Sequence, residues 1–261
     1  MIRFRLAGLA GLALAALASA CSAAQPMVEA LPLNGTAWVL DSLGGEAPLP
    51  GHAATLRFEG SRATGTDGCN RDMAGWQATE SRLAFTSGPA ATMMACEPAV
   101  MQRADAFRAA LTAANGYRRE ADRLLLLGED GRELATFVAQ PSTLAGTAWR
   151  VTGYNNGKQA VVSVLADTAL TIAFDADGRA SGSAGCNNFT GSYTQDGDKV
   201  TFGPAASTRR MCAVPEGIME QEAQFLKALE TVSTARLEGD ALELRTATGA
   251  LAVRAGKPGA E

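Results

Sequence analysis

Histidine is nearly absent from the 261-residue chain, in which His52 is the single example. A Ser-His-Asp or Cys-His catalytic site would have to use that residue, which has no counterpart in the other half of the chain. The chain also lacks a CxxC pair and the GxSxG, HExxH, Walker and GxGxxG motifs. We therefore predict a non-catalytic protein without metal or cofactor. An unrecognised hydrolase built on paired carboxylates is the weakest alternative.

Long hydrophobic runs are confined to the N-terminus. Residues 6–17 carry no charge and follow Arg3 and Arg5, and the run is too short to span a bilayer. We interpret residues 1–20 as a signal peptide. No later stretch approaches 18 apolar residues, so we predict no membrane-spanning segment in the processed chain.

Cys21 directly follows Ala18-Ser19-Ala20, a run of small residues suited to signal peptidase cleavage. A cysteine at this place resembles a lipobox, in which the new N-terminal cysteine is acylated (with palmitate among its lipids). Ala18 stands where a lipobox usually has leucine, and plain secretion with a free thiol is the alternative. Residues 21–33 would then be the tether of the lipid anchor. Ser22, rather than an aspartate, follows the cysteine, which resembles the bacterial signal for the outer membrane. We therefore expect an outer-membrane lipoprotein that faces the periplasm.

Positive charge is in the minority. Without the two leader arginines, 21 of the 23 basic residues remain against 27 acidic ones, which gives a net charge of −6. This balance argues against a nucleic-acid partner and against electrostatic docking of the chain on anionic lipid. The membrane contact that we predict is the N-terminal lipid anchor.

The five cysteines become two pairs once Cys21 is set aside, because Cys69 and Cys96 are 27 residues apart and Cys186 and Cys212 are 26 apart. Export to an oxidising compartment favours disulfides over metal ligands or redox thiols. Four cysteines allow three connectivities. The duplicated spacing favours Cys69–Cys96 and Cys186–Cys212.

The two halves of the chain repeat one another, with an offset that changes only from 111 to 118 residues. The repeated segments are Gly35-Thr36-Ala37-Trp38 with Gly146-Thr147-Ala148-Trp149, Gly68-Cys69-Asn70 with Gly185-Cys186-Asn187, and Thr92-Met93-Met94-Ala95-Cys96 with Thr208-Arg209-Arg210-Met211-Cys212. A period of this length indicates two tandem domains. We place them at residues 34–139 and 144–255, with a disordered tail at 256–261. The short linker between them predicts that the domains touch.

Each copy reads as β-strands, one amphipathic helix and a closing β-hairpin. The helices are predicted at about Pro98–Ala113 and Glu216–Leu229 from apolar residues spaced by 7 and 4 positions. The predicted fold class is α+β: two tandem copies of a curved, mostly antiparallel sheet packed with one helix. Trp38 and Trp149 are predicted in the core, as is Trp76, which aligns with Tyr193.

The motifs GTxW, GCN and TMMAC resemble those of the META domain of HslJ-like bacterial heat-shock lipoproteins. The resemblance occurs in two copies, which together cover nearly all of the mature chain. Copy 2 has the usual GCNNFTG, whereas in copy 1 we align Met73 with its phenylalanine. The resemblance implies a role in envelope stress and no enzymatic reaction. It supplies no catalytic residues.

The segment before the second cysteine differs between the copies. Met93-Met94 stand in copy 1 where copy 2 has Arg209-Arg210. Because unpaired arginines are almost never buried, we predict that both arginines and at least one of the two methionines are exposed, and that these positions form a partner surface. Gly68 and Gly185 are expected to form tight turns whose asparagines, Asn70 and Asn187, bond to the local backbone.

These features predict a protein that binds or supports other envelope components. The main alternative is a carrier of a small ligand or lipid in a cavity between helix and sheet.

Overall fold

A computed structural model describes residues 32–86, 90–158 and 160–258. Cys21, the predicted signal peptide and most of the predicted tether lie outside the described residues. Copy 1 is built from the following elements: β1 (Thr36–Leu43), β2 (Thr55–Glu59), β3 (Arg62–Thr66), β4 (Arg71–Ala78), β5 (Leu83–Phe85), β6 (Ala90–Ala91), α1 (Pro98–Ala113), β7 (Gly116–Glu120), β8 (Arg123–Leu127) and β9 (Glu133–Ala139).

Copy 2 repeats this order, with one additional short strand after its first. Its elements are β10 (Thr147–Asn155), β11 (Val161–Ser163), β12 (Thr171–Phe174), β13 (Arg179–Ser183), β14 (Asn188–Asp196), β15 (Lys199–Phe202), β16 (Ala206–Ser207), α2 (Ile218–Glu230), β17 (Val232–Glu238), β18 (Ala241–Thr246) and β19 (Leu251–Gly256). None of the helices in the described part is long and apolar enough to cross a membrane.

Each copy forms a barrel-like antiparallel sheet. In copy 1 eight strands follow the order β5-β4-β3-β2-β1-β9-β8-β7, and the two end strands meet at a bridge between Arg82 and Gly116. In copy 2 the corresponding strands close because β10 pairs with both β12 and β19. The sequence predicted a curved, mostly antiparallel sheet with one helix in each copy, but it did not predict that the sheet closes into a barrel. The twist of eight strands brings the edges together, which alternation of apolar residues alone does not show.

The core of each copy lies inside its barrel and under its helix. Trp38 and Trp149 are almost fully buried, and each indole N–H donates to a threonine hydroxyl two residues earlier in the chain, at 2.7 Å. Phe107 of α1 and Phe225 of α2 bury the helices against these clusters. The predicted helix stripes are therefore confirmed as core.

The helix boundaries follow from local sequence. Pro98 begins α1, where a missing N–H costs nothing. The second helix begins at Ile218 rather than at the predicted Glu216, because Gly217 adopts a left-handed conformation (φ +86°) that interrupts the helical backbone. It ends at Glu230, one residue beyond the predicted end.

Strand register corrects one detail of the predicted alignment. Gly65 pairs with Asp72 in copy 1, and Gly182 pairs with Phe189 at the same place in copy 2. Asp72, not Met73, therefore occupies the site of Phe189. The alignment of Trp76 with Tyr193 is correct, since each stacks edge-on against a phenylalanine two strands away, Phe58 of β2 and Phe174 of β12.

The two barrels touch, as the short linker predicted. The backbone N–H of Gly239 donates to the Gln140 side chain at 2.7 Å, and Arg71 of copy 1 pairs with buried Glu243 of copy 2 at 3.0 Å. Burial would raise the pKa of Glu243, but the arginines around it, with Arg245 foremost, lower it below its usual value. The last strand reaches Gly256, the first residue of the predicted tail, and residues 259–261 lie outside the described part.

Candidate functional site

Two disulfides tie the central turn of each copy to the loop before its helix. Cys69 is bonded to Cys96 and Cys186 to Cys212, with S–S distances of 2.05 and 2.04 Å. These are the predicted pairs. We call residues 92–97 stapled loop 1 and residues 208–217 stapled loop 2. Each loop therefore has a covalent connection to its barrel close to where the helix begins.

A buried asparagine holds each loop a second time. In copy 2 the Oδ1 atom of Asn187 accepts hydrogen bonds from the Thr208 hydroxyl (2.6 Å) and the Arg210 N–H (2.8 Å). Its Nδ2 atom donates to the Arg210 carbonyl and to Glu222, each at 3.0 Å. The side chain thus uses both of its polar atoms to fix the backbone of stapled loop 2.

Asn70 makes the matching contacts in copy 1. Its Oδ1 atom accepts hydrogen bonds from the Thr92 hydroxyl (2.9 Å) and the Met94 N–H (2.7 Å). The prediction that the two asparagines bond to the local backbone of their own turn is therefore wrong. Their side chains reach a loop more than 20 residues away, because the disulfide and the strand pairing bring it beside the turn.

Gly68 and Gly185 have the predicted turn geometry, with φ values of +95° and +107°. A Cβ atom on Gly68 would lie 2.4 Å from the carbonyl oxygen of His52. His52, in turn, bonds through Nδ1 to the Gly68 carbonyl at 2.9 Å, so the single histidine supports the turn. Among the described residues, no group of three or more His, Cys, Asp or Glu side chains has the arrangement of a metal site.

A buried carboxylate supports the turn in both copies, but it comes from different places. In copy 1 Asp67, within the turn, accepts the Cys69 and Asn70 N–H groups and pairs with Arg108 of α1. In copy 2 Glu222 of α2 accepts the Asn187 N–H at 2.9 Å. The supporting carboxylate therefore belongs to the turn in copy 1 and to the helix in copy 2, and in both copies it accepts a hydrogen bond from the turn backbone.

The stapled loops carry the most exposed large apolar side chains of the part that the structure describes. Met93 is 99% and Met94 57% exposed in loop 1, and Met211 is 85% and Val214 82% exposed in loop 2. Arg209 and Arg210 are exposed as well. The prediction was that both arginines and at least one of the two methionines are exposed, and the structure exposes all four side chains. Exposed apolar side chains on a fixed backbone are typical of contact surfaces.

The interior between helix and sheet is filled with side chains. Trp149 and Phe225 are among the largest fully buried residues of copy 2, and Trp38 and Phe107 are their counterparts in copy 1. A cleft of about 520 Å³ lies instead at the surface between the two barrels. This packing does not favour the carrier hypothesis.

Asp72 is a buried acid that the sequence did not reveal. Both of its carboxylate oxygens are buried and have no hydrogen-bond partner. Burial raises the pKa of Asp72 from 3.8 to about 6; the nearby Asp67 adds to the rise, and Arg108 opposes it. In copy 2 the same site holds Phe189, which packs on Phe225. The charge of Asp72 is thus a cost to the fold of copy 1 at neutral pH.

We expect Asp72→Asn to stabilise copy 1 at pH 7 by roughly 1 to 3 kcal/mol, because the amide removes a buried, unpaired charge. Since the folded-state pKa is raised, the native state binds the proton more tightly than the unfolded state. The wild type should therefore gain stability as the pH falls from 7 through 6 towards 4, relative to the variant. Urea unfolding of both proteins at several pH values measures this difference. A constant difference across that window would contradict the assignment.

Comparison with known proteins agrees with the repeat. Residues 31–141 and residues 142–258 each match the family model of the META domain. The chain belongs to the META domain family. The two META copies together span nearly all of the described residues, and the resemblance found in the sequence is confirmed. The META domain family is not known for an enzymatic reaction.

Several solved structures are similar to part of this META protein. An NMR structure of a protein from Burkholderia xenovorans is 25% identical and covers 44% of this chain and 84% of that chain, with a TM-score of 0.37. A second NMR structure is 26% identical, covering 44% and 91%, with a TM-score of 0.34. A DUF4847 family protein from Bacteroides vulgatus is 18% identical, covering 43% and 93%, with a TM-score of 0.31. No curated protein matches the chain significantly.

Proposed function

We propose that this META protein is a non-catalytic lipoprotein of the bacterial envelope that binds another envelope protein through stapled loop 1. The observation that carries the binding role is the exposure of Met93, 99%, on a loop held by a disulfide and a buried asparagine. A fixed loop loses little conformational entropy when a partner covers it, so its apolar side chains contribute more of their burial to affinity. The resemblance to heat-shock lipoproteins adds the expectation that the partner is held during envelope stress.

The apolar surface of copy 1 continues from the loop onto the sheet. Met73 of β4 is 43% exposed and pairs with Ala90 of β6, which leads into stapled loop 1. Met93 and Met94 follow within four residues, and no charged residue intervenes before Glu97. Methionine side chains adapt their shape to a partner, which suits a surface that holds several clients or one irregular client.

A photocrosslinking residue at Ala95 tests this role in intact cells, because Ala95 is exposed and leaves both methionines in place. We expect a discrete crosslinked product that disappears in the Met93→Arg/Met94→Arg background. The arginines copy the residues of stapled loop 2, so the free energy of unfolding should change by no more than about 1 kcal/mol. The product would then be lost because the surface has changed and not because the domain has unfolded.

Met211, which aligns with Ala95, is the matched control position for the crosslinker. A product that forms equally from both positions, or that survives the double arginine substitution, would show that stapled loop 1 does not select the partner. Loss of folding in the double variant would show that Met93 and Met94 support the core, and the proposal would fail.

The anchor is tested by Cys21→Ala. If Cys21 carries the lipid, the variant should leave the membrane fraction and lose incorporation of a radiolabelled or clickable palmitate, because a single acylated cysteine is the proposed attachment. Fractionation and label incorporation measure the two effects. A variant that stays in the membrane fraction to the wild-type extent would rule out this anchor, and plain secretion would replace it.

A further inference from the structure

Stapled loop 2 combines exposed cations with exposed apolar tips. Arg209 and Arg210 are followed by Met211 and Val214, whose side chains are 85% and 82% exposed. In the described part of the chain neither arginine forms an ion pair, and the polar contacts of Arg210 are made by its backbone N–H and carbonyl, which bind Asn187. The two guanidinium groups are therefore available to an external anion.

The surroundings of loop 2 differ from those of loop 1. In copy 1 the apolar surface extends to Met73, but the residue at the corresponding strand position in copy 2 is the exposed Thr190, which pairs with Ala206 of β16. The apolar area of loop 2 is thus limited to its projecting tips. A standard protein interface covers about 800 Å² on each partner, and loop 2, which has no counterpart of Met73, offers less continuous apolar surface for one than loop 1 does. Binding to a lipid surface needs only a few apolar side chains that reach the boundary of the acyl chains, below the phosphate groups that the cations bind.

The negative charge of the whole chain does not oppose a local contact of this kind. At physiological ionic strength, exposed charges more than about 8 Å apart are largely screened. The acidic side chain within loop 2 is Glu216, on the far side of Val214 from the two arginines. The sequence-based argument against electrostatic docking used the net charge of the whole chain, whereas a local contact depends on the charges within loop 2.

We propose that stapled loop 2 docks on an anionic phospholipid surface, with Arg209 and Arg210 binding the phosphate groups and Met211 and Val214 entering the interface. The disulfide and Asn187 keep the four side chains on one fixed loop, so docking orders little additional backbone. This contact is independent of the protein partner proposed for loop 1 and of acylation at Cys21. It would orient copy 2 against the membrane in addition to any lipid anchor.

Vesicle sedimentation tests the proposal with the full mature chain carrying Cys21→Ser, so that no acyl group contributes. The vesicles contain either phosphatidylcholine alone, which is neutral, or phosphatidylcholine with about 30% phosphatidylglycerol, which makes the surface anionic. We expect binding to the anionic vesicles that weakens as salt is raised. Arg209→Ala/Arg210→Ala should lower the partition coefficient by about tenfold or more, since each cation near an anionic surface contributes about fivefold. Met211→Ser/Val214→Ser should lower it by about tenfold.

Arg62→Ala/Arg82→Ala is the matched control, because it removes the same charge from exposed positions of copy 1. Its partition coefficient should stay within about threefold of the parent. Absence of binding to anionic vesicles, equal binding to neutral ones, or an equal effect of the two arginine pairs would each overturn the proposal. Circular dichroism of each variant checks that it is folded. None of these outcomes alters the crosslinking result expected from loop 1.

Discussion

Asn187→Ala should destabilise copy 2 by about 3 kcal/mol or more, because one buried side chain makes four hydrogen bonds. The substitution leaves the Arg210 N–H and the Thr208 hydroxyl without their acceptor. It also takes a donor from the buried carboxylate of Glu222. Glu222 is buried, and an unsatisfied buried group costs about 1 to 3 kcal/mol, or more when it is charged. Each hydrogen bond lost at the exposed residues Thr208 and Arg210 adds about 0.5 to 1.5 kcal/mol. Urea unfolding monitored by the fluorescence of Trp149 measures the loss.

The neighbouring residue provides the control for this prediction. Asn188 is exposed, and Asn188→Ala should change the free energy of unfolding by less than about 0.5 kcal/mol. Hydrogen exchange at the Arg210 amide gives a second measurement, since that N–H loses its acceptor in Asn187→Ala and should exchange much faster. Equal stability of the two alanine variants would show that the disulfide alone fixes stapled loop 2.

Features carried by spacing were predictable from the sequence. The duplicated motifs revealed the two copies, the cysteine spacing favoured the pairing, and the 7 and 4 spacing of Val100, Phe107 and Leu111 placed the buried face of α1. Each of these signals depends on residues of one type at fixed intervals. They are therefore visible without knowing which segments meet in space.

Features that depend on contacts between distant, unlike residues were not predictable. The carboxylate that supports the turn is Asp67 in one copy and Glu222 in the other, so it is not part of a motif that the two copies share. Asp72 was missed because a one-residue error aligned Met73 with Phe189, and one residue reverses the face of a strand. Closure of the sheets depends on how far the strands twist, which is a property of the assembled barrel.

Removal of the second disulfide by Cys186→Ser/Cys212→Ser should lower the free energy of unfolding of copy 2 by about 3.5 kcal/mol. The bridge joins residues 26 positions apart, and closing a loop of that length restricts the unfolded chain by this amount in the entropy model. The same pair of changes at Cys69 and Cys96, 27 positions apart, should cost copy 1 a similar amount. Differential scanning calorimetry of both variants measures the two losses.

The local consequence should differ between the copies although the global cost is similar. Without its disulfide, stapled loop 2 is still held by Asn187, which both accepts hydrogen bonds from the loop and donates one to the Arg210 carbonyl. Stapled loop 1 is then held by Asn70, which accepts two hydrogen bonds from the loop. We therefore expect faster hydrogen exchange at the Met94 amide than at the Arg210 amide in the respective variants. If crosslinking from Ala95 then falls while copy 1 stays folded, the bridge supports binding by fixing the methionines. Undiminished crosslinking would mean that the partner tolerates a mobile loop, and the disulfide would serve stability alone.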